Sequence, residues 1–311
     1  YMAHLLSLFY GLCMAIGGIV APKVLILFFG VLAVGAVYVL GSRFFNTEVG
    51  AWAALLFYSV PVVIASSATT SLDLAQTLFI ASSALAFFRW YETRQWGWMA
   101  ASGWIAGVAT ASKIVALSTL IVFPAFAVFF AIRQLTRRRP SGEIFRAVIS
   151  YGLLLIIVSA PWYVVTYVYT GNPFFPFLNK VFQSPQYPPV NTTLDWSGFG
   201  IGTAGDSLFR LPFYFTWDTI RFASARGGAG FVLLLAIPLS VLYVWKGTFP
   251  QRALVAAAGV HFIVWAFTAQ YARYMIPALP FIAVVGCGVF LTNLSGVPLK
   301  MNRLLLLAGL L

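Results

Sequence analysis

The sequence predicts an all-α protein that crosses a membrane many times, and three observations support this prediction. First, 61% of the 311 residues are hydrophobic and only 8% are charged, whereas soluble proteins carry about 25% charged residues. Second, the apolar residues form long runs such as 148–168 and 230–245, and about 20 apolar residues span the hydrocarbon core of a bilayer. Third, the short alternating segments of a membrane β-barrel are absent from the sequence.

About ten transmembrane helices are predicted, within a single domain that covers residues 1–311. Residues 1–20 precede them and carry polar breaks at His4, Ser7 and Tyr10. This three-residue spacing favours a helix that lies on the outer leaflet, and a true span is the alternative. The predicted spans are residues 22–40, 51–66, 74–88, 98–111, 114–132, 148–167, 230–245, 253–269 and 275–291, with a last one opening at Leu304.

The Lys and Arg residues predict which joints between the spans face the cytoplasm. Of the 19 Lys and Arg residues, 12 lie in five short joints, which include "RWYETRQW" and "RQLTRRRPSGEIFR", and the positive-inside rule places such joints in the cytoplasm. The other joints face outward, among them the long segment 169–229. Its Pro, Gly and aromatic residues interrupt long helices, so we expect an outer loop that carries short interfacial helices. Because most positive charges follow the joints, the net charge of +12 does not indicate nucleic-acid binding.

Four polar residues share the outward side by this reasoning: Asp73, Lys113, Asn172 and Arg273. Asp73 precedes a span, so it either complements a helix dipole, worth about 0.3–1 kcal/mol, or contacts a substrate or metal. Lys113 either extends its ammonium to the membrane surface or reaches a phosphate. Arg273 is either an interfacial anchor or a bidentate phosphate ligand. Two cations, one carboxylate and an aromatic loop on one face favour an anionic, lipid-anchored substrate.

The common motifs of soluble enzymes are absent from the sequence. It has no Gly-rich phosphate loop and no Cys/His cluster, and its two histidines are His4 and His261. His261 lies within a predicted span and is more typical of a packing residue, whereas His4 is a substrate-binding candidate with packing as the equal alternative. Cys13 and Cys287 lie in apolar segments, where cysteines act as small core residues. No cofactor is predicted apart from a candidate divalent metal at Asp73.

Four longer stretches follow one another along the chain: "GSRFFNTEVGAWAALLFYSVPVVIASSATTSLDLAQTLF", "GWIAGVATASKIVAL", "YTGNPFFPF" and "ARYMIPALPFIAV". In this order they resemble the bacterial polyprenyl-phosphate-dependent glycosyltransferases of the C-type membrane fold. That group includes the aminoarabinose transferases of lipid A and relatives of the protein O-mannosyltransferases. In the second stretch Ser112 replaces the threonine of the family pattern. The resemblance covers nearly all of the chain, although each motif alone is weak.

The resemblance implies a mechanism and roles for several residues. Such enzymes transfer a sugar from a polyprenyl phosphate to a lipid, glycan or protein acceptor, at the outer face of the bacterial plasma (inner) membrane, with inversion at the anomeric carbon. Asp73 would be the acidic residue of the second outer loop, supporting the site or a metal. Lys113 and Arg273 would face the lipid phosphate, and Asn172 and Tyr274 are further substrate-binding candidates. The implied partners are a polyprenyl-phosphate-linked sugar and membrane lipids.

One departure from the family pattern concerns the first outer loop and its catalytic carboxylate, which should precede Tyr1. We therefore expect an N-terminally truncated sequence whose catalytic residue lies upstream. The alternative is a non-catalytic subunit of a larger membrane complex, built on a glycosyltransferase-like fold, with other membrane subunits as partners. A secondary transporter is a weaker interpretation, because transporters place polar groups near the membrane midplane.

Overall fold

The computed structural model describes residues 5–137, 142–186, 199–224, 227–230, 234, 236, 240, 242–268 and 270–293. Within these ranges the secondary structure is helical and contains no strand, which confirms the all-α prediction. The first helices are α1 (Leu5–Gly17), α2 (Ala21–Phe44), α3 (Thr47–Ser59), α4 (Pro61–Ser67), α5 (Asp73–Thr93), α6 (Trp96–Ser112) and α7 (Ala116–Leu120). The later helices are α8 (Val122–Thr136), α9 (Gly142–Thr170), α10 (Asn179–Phe182), α11 (Ser207–Trp217), α12 (Leu242–Lys246), α13 (Phe249–Phe267) and α14 (Leu279–Gly288).

Four helical segments are long and apolar enough to cross a membrane. They are Leu5–Phe44, Ala116–Thr136, Gly142–Thr170 and Ala272–Thr292, and α3 with α4 adds a fifth if this pair, bent by 70°, forms one span. The predicted count of about ten spans is therefore not confirmed for the described residues. Helices do form at several other predicted spans, but α6, with 17 residues, is only about 26 Å long. Most of predicted span 230–245, and the span opening at Leu304, lie outside the described residues.

The N-terminal run is helical but interrupted. The 3-10 turn Gly18–Val20 separates α1 from α2, and Gly18 has φ +67°, a left-handed conformation that glycine adopts readily. The segment Leu5–Phe44 has 40 residues, whereas about 20 residues span the hydrocarbon core of about 30 Å. This length is more than one span requires, because the 24 residues of α2 already reach about 36 Å. The position of α1 on the outer leaflet stays a prediction.

The chain divides into two compact units. Unit 1 contains Tyr1–Pro22 and Ser82–Trp196. Its centre is the close packing of α6 on α9, where a Cβ added to Gly103 would lie 2.3 Å from the carbonyl oxygen of Tyr151. Farther along α6, a Cβ on Gly107 would lie 2.7 Å from Cβ of Val158. Glycines at these positions let the two helix backbones approach closely, as they do in many membrane proteins.

Unit 2 contains Lys23–Ala81 and Ser197–Leu311. In its interior α14, whose ten residues are all buried, packs on α3. Helix α13 begins with a capping box, in which the backbone N–H of Thr248 donates to the Gln251 side chain at 2.8 Å. The predicted outer loop 169–229 contains the short helix α10, which belongs to unit 1, and α11 and the 3-10 turn Thr219–Phe222, which belong to unit 2. Short helices in this loop match the sequence-based expectation, whereas their side of the membrane stays a prediction.

Candidate functional site

The joint between α4 and α5 brings the Asp73 carboxylate next to hydroxyl side chains. Asp73 is the first residue of α5 and is 1% exposed. The Ser71 hydroxyl donates a hydrogen bond to Oδ2 of Asp73, and the Thr77 hydroxyl donates to the Asp73 carbonyl oxygen at 2.6 Å. Both readings of Asp73 thus have a structural basis, because the residue starts a helix and also holds an oriented hydroxyl.

Helix α5 carries further buried polar side chains after Asp73. Gln76 and Thr77, three and four residues after Asp73, are both fully buried. Residues at this spacing lie on one face of a helix, so Asp73, Gln76 and Thr77 form one buried polar stripe. Gln76 and Thr77 are not among the residues that the sequence predicted for the site. The signal was available, because polar residues recur at i, i+3 and i+4 within an apolar helix.

The turn that carries Arg273 is fixed by two side chains of α13. Trp265 donates its indole N–H to the carbonyl oxygen of Tyr271 at 2.9 Å. His261 is fully buried and lies 2.7 Å, through Nε2, from the carbonyl oxygen of Tyr274. A carbonyl only accepts hydrogen bonds, so Nε2 carries the proton. His261 is therefore a packing residue, as the sequence favours, and it also positions the Arg273 turn.

The Arg273 guanidinium lies near two aromatic rings. It is 6.0 Å from the ring centroid of Tyr271 and 5.5 Å from that of Tyr274, within cation–π range. Partial burial raises the pKa of the Tyr271 phenol above its ordinary value, the Tyr274 phenol raises it further, and Arg273 lowers it. Tyr271 is therefore neutral at physiological pH, and its contact with Arg273 is a cation–π contact.

An open groove of about 300 Å³ lies within unit 2, between the α4–α5 joint and the Arg273 turn. The described residues of its lining are one cation, four with hydroxyl groups and three small or branched apolar ones. The hydroxyls orient polar ligands, and the cation can bind an anion such as phosphate bidentately. The lining residues are Arg273, Ser66, Thr69, Ser71, Ser224, Val62, Ala65 and Ala223.

One wall of the groove depends on two glycines of the predicted outer loop. The carbonyl oxygen of Gly228 accepts the backbone N–H of Val62 at 3.3 Å. A Cβ on Gly228 would lie 1.9 Å from the carbonyl oxygen of Phe215, so a larger residue would displace this segment. Next to it, the Ser224 hydroxyl donates to the carbonyl oxygen of Gly227 at 2.6 Å. These contacts hold the loop against α4 and define the width of the groove.

Gln270 fastens another part of the same loop beside Arg273. Its side-chain oxygen accepts the backbone N–H of Ile201 at 2.9 Å, and its amide donates to the carbonyl oxygen of Gly202 at 3.0 Å. The rings of Phe199 and Tyr271 lie 4.5 Å apart. Gln270 was not predicted from the sequence, because a lone amide next to an apolar helix does not reveal which distant backbone it binds.

In unit 1, Asn172 is fully buried and organises its own loop. Its amide donates to the carbonyl oxygen of Phe177 at 2.8 Å, and its side-chain oxygen accepts the backbone N–H of Phe174 at 2.9 Å. The Thr170 hydroxyl donates to the Asn172 carbonyl oxygen at 3.0 Å. These bonds support a structural role for Asn172, and its predicted contact with substrate stays a prediction.

Lys113 ends α6 in unit 1. Its backbone is extended, with φ −164° and ψ 124°, and its N–H donates to the carbonyl oxygen of Ala109 at 3.1 Å. The residue is half-buried at this joint, and its predicted contact with a phosphate stays a prediction. His4 lies outside the described residues. In unit 2, Arg273 lines the groove beside the Tyr274 ring, and Asp73 is linked to the groove through Ser71, whereas Lys113 and Asn172 belong to unit 1.

The predicted metal at Asp73 finds limited support. Among the residues that the structure describes, no group of three His, Cys, Asp or Glu side chains is placed to hold a metal ion. Asp73 would supply one carboxylate, and Mg²⁺ commonly binds through one or two carboxylates together with substrate phosphates. A metal at this position stays a prediction.

Comparisons with known proteins point to one fold and one family. Two crystal structures of ArnT from Cupriavidus metallidurans resemble the chain, one in the apo state and one bound to undecaprenyl phosphate. Each has a TM-score of 0.61, with 17% and 16% identity respectively, and the match covers 96% of this chain. The chain spans about half of the ArnT length, at 50% and 51%. No curated protein matches the sequence.

Identity this low establishes the fold alone, and the family comes from a sequence model. The model for the dolichyl-phosphate-mannose-protein mannosyltransferases matches residues 2–163, which is more than half of the chain. The ArnT-like fold agrees with this match and with the motifs in the sequence. The chain belongs to the dolichyl-phosphate-mannose-protein mannosyltransferase family.

Proposed function

We propose that the protein transfers a sugar from a polyprenyl phosphate to an acceptor at the outer face of a bacterial plasma membrane. The observation that carries this proposal is the groove in unit 2, where Arg273 faces the hydroxyl of Ser71, which is bonded to Asp73. Family membership supports a glycosyl transfer. The undecaprenyl phosphate bound to ArnT, which shares the fold, supports a lipid phosphate as the donor group.

The proposed reaction is a displacement at the anomeric carbon. An acceptor oxygen forms a bond to this carbon, the bond from the carbon to the phosphate oxygen breaks, and the lipid phosphate leaves with the electron pair. Arg273 binds the phosphate and stabilises the negative charge that it gains, as cations do in phosphate sites. The acceptor proton passes to a carboxylate base, which the family resemblance assigns to the first outer loop.

Ser71 and Asp73 have a positioning role in this proposal. The hydroxyl proton of Ser71 is committed to the Asp73 carboxylate, so its lone pairs remain for the groove, where the hydroxyl acts as an acceptor. A sugar or acceptor hydroxyl can donate to Ser71 there. Asp73 is 1% exposed, and its charge fixes the direction of the serine hydroxyl. This arrangement fits a hydroxyl-rich ligand beside a phosphate.

Arg273→Gln tests the proposal through donor binding. Purified protein in lipid nanodiscs is titrated with undecaprenyl phosphate, and the variant should bind about 10- to 100-fold more weakly, because a charged hydrogen bond contributes about 1.5–3 kcal/mol. Arg210→Gln is the matched control, since Arg210 is 60% exposed, pairs with Asp206 at 2.6 Å and does not line the groove.

The outcomes separate the hypotheses. Equal weakening by both variants would indicate a general charge effect, and unchanged binding by Arg273→Gln would reject the phosphate site. Sugar transfer from a polyprenyl-phosphate donor is then measured with the full-length natural protein. Specific phosphate binding without any transfer would favour the non-catalytic subunit.

A further inference from the structure

A second cavity, of about 390 Å³, lies within unit 1 where α5 and α8 end and α9 begins. It is separate in the sequence from every residue of the groove, and the proposed transfer does not use it. Both joints that border it belong to the predicted cytoplasmic set. The lining residues are Trp90, Arg94, Gln134, Gly142, Glu143 and Ile144.

Arg94 is held at this cavity by aromatic rings. Its guanidinium lies 5.2 Å from the ring centroid of Trp90, 5.0 Å from Tyr91 and 5.8 Å from Phe130. A guanidinium stacked on rings keeps its in-plane N–H donors for other partners. The side chain is therefore pre-organised as an anion ligand, with its apolar faces covered and its donors available.

The backbone of Arg94 supports a specific role for this side chain. Arg94 has φ +59° and closes α5, with its N–H donating to the carbonyl oxygen of Trp90 at 2.7 Å. Helices usually place glycine at this left-handed position, and other residues there are disfavoured by about 1–2 kcal/mol. At this left-handed residue the side chain lies with its guanidinium over the rings of Trp90 and Tyr91.

Glu143 supplies the opposite charge. It lies in the first turn of α9 and is exposed. Arg94 and Glu143 line the same cavity, yet none of the ion pairs found among the described residues joins them. The nearby Glu92 lies 3.8 Å from Arg89 in its own exposed pair. One cavity thus presents a cation and an anion that are not neutralised by each other.

We propose that this cavity binds a phosphoethanolamine group, with the phosphate on Arg94 and the ammonium on Glu143. The group carries both charges on a short chain and has N–H donors for a carboxylate, and the Gln134 amide can donate to a phosphate oxygen. A phosphoglycerol group lacks the cation, and the quaternary ammonium of phosphocholine lacks N–H donors. In a membrane protein the nearest source is a phosphatidylethanolamine headgroup of the predicted cytoplasmic leaflet, and free phosphoethanolamine has the same chemistry.

Native mass spectrometry of the purified protein tests this site with three lipids: phosphatidylethanolamine, phosphatidylglycerol and phosphatidylcholine. Wild-type protein should retain phosphatidylethanolamine best. Glu143→Gln should lower its retention about tenfold, because a charged hydrogen bond is lost, and should leave phosphatidylglycerol unchanged. Arg94→Gln should lower the retention of all three lipids. Arg89→Gln, which removes an exposed arginine outside the cavity, should change none.

Glu143→Gln decides the outcome, because this exposed side chain can be changed without disturbing the core. Equal retention of the three lipids by wild-type protein, or unchanged phosphatidylethanolamine retention in Glu143→Gln, would overturn the proposal. Free phosphoethanolamine is added as a competitor to identify the source. Competition at concentrations similar to those of the lipid would support a soluble ligand at this site, and competition only at far higher concentrations would support the lipid headgroup.

Discussion

The predicted outer joints of the two compact units differ in what their polar side chains do. In unit 1, Asn172 is fully buried, and its amide and its side-chain oxygen both bond to its own loop. In unit 2, Arg273 is exposed and lines an open groove with four hydroxyl groups. Residues that the sequence places on one side of the membrane therefore divide into those that bond within their own loop and those that line a groove. Changes in unit 1 should mainly lower stability, and changes at the groove should mainly lower ligand binding.

The largest stability effect is expected at Gly103 in unit 1. Gly103→Ala places a Cβ 2.3 Å from the carbonyl oxygen of Tyr151, and overpacking of this kind destabilises by about 1–3 kcal/mol. Gly97→Ala on the same helix is the matched control, because a Cβ there meets no atom within 4 Å. Thermal unfolding in detergent should show a lower midpoint for Gly103→Ala, and a midpoint equal to that of the control would contradict the close α6–α9 packing.

A second test of the comparison is Asn172→Ala. The change leaves the Phe174 N–H and the Phe177 carbonyl oxygen without their side-chain partner, which costs about 1–3 kcal/mol. We expect a lower unfolding midpoint, whereas Lys180→Ala, at an exposed position of α10, should leave it unchanged. If Asn172→Ala instead weakened binding of undecaprenyl phosphate at unchanged stability, Asn172 would be a ligand residue as the sequence analysis proposed.

Changes at Ser71 and Asp73 should lower donor binding more than stability, the reverse of the changes in unit 1. Asp73→Asn and Ser71→Ala should keep the fold and weaken donor binding about 3- to 10-fold each, because the oriented hydroxyl is worth about 1 kcal/mol. The double variant should bind the donor only slightly more weakly than either single variant, since both changes remove the same hydrogen bond. Titration with the donor measures all three. Fully additive losses of affinity would show that the two residues act independently. Unchanged binding would indicate that Asp73 only caps the helix.

Lys113→Gln should have the smallest effect. A substitution at the end of α6 that keeps the backbone bond to Ala109 should change stability by less than about 0.5 kcal/mol. If the ammonium reaches the lipid phosphate, donor affinity should fall about threefold, and the loss should shrink in high salt because exposed charges are screened. Binding that is insensitive to the change at every salt concentration would identify Lys113 as a membrane-surface anchor.

Much of the fold could be predicted from composition alone. Long apolar runs require helices, since backbone groups in lipid must bond within their own segment, and the described residues are helical accordingly. The number of spans was less predictable. An apolar run does not reveal where a helix bends, as α3 and α4 do by 70°, or that Gly18 interrupts the N-terminal run.

The candidate site was only partly predictable. The charges of the joints, and the side of the membrane that they predict, singled out Asp73 and Arg273. Arg273 lines the groove, and Asp73 bonds to Ser71, which also lines it. The residues that hold the site were harder to find: Ser71, Gln270 and the donor role of His261. Gln270 binds a backbone N–H 69 residues away in the sequence and His261 a backbone carbonyl 13 residues away, and neither residue type nor local spacing reveals such partners. Ser71 bonds to the nearby Asp73 side chain.

The sequence by itself determined that this is a helical membrane protein, because its apolar content leaves no soluble alternative. It also determined the family, because a family model matches residues 2–163. Only the tertiary structure decided which polar residues face a shared space. Arg273 and Ser71 line one groove, whereas Asn172 bonds within its own loop. The physical reason is that buried polar groups need partners, and only the folded chain decides whether each partner is protein or ligand.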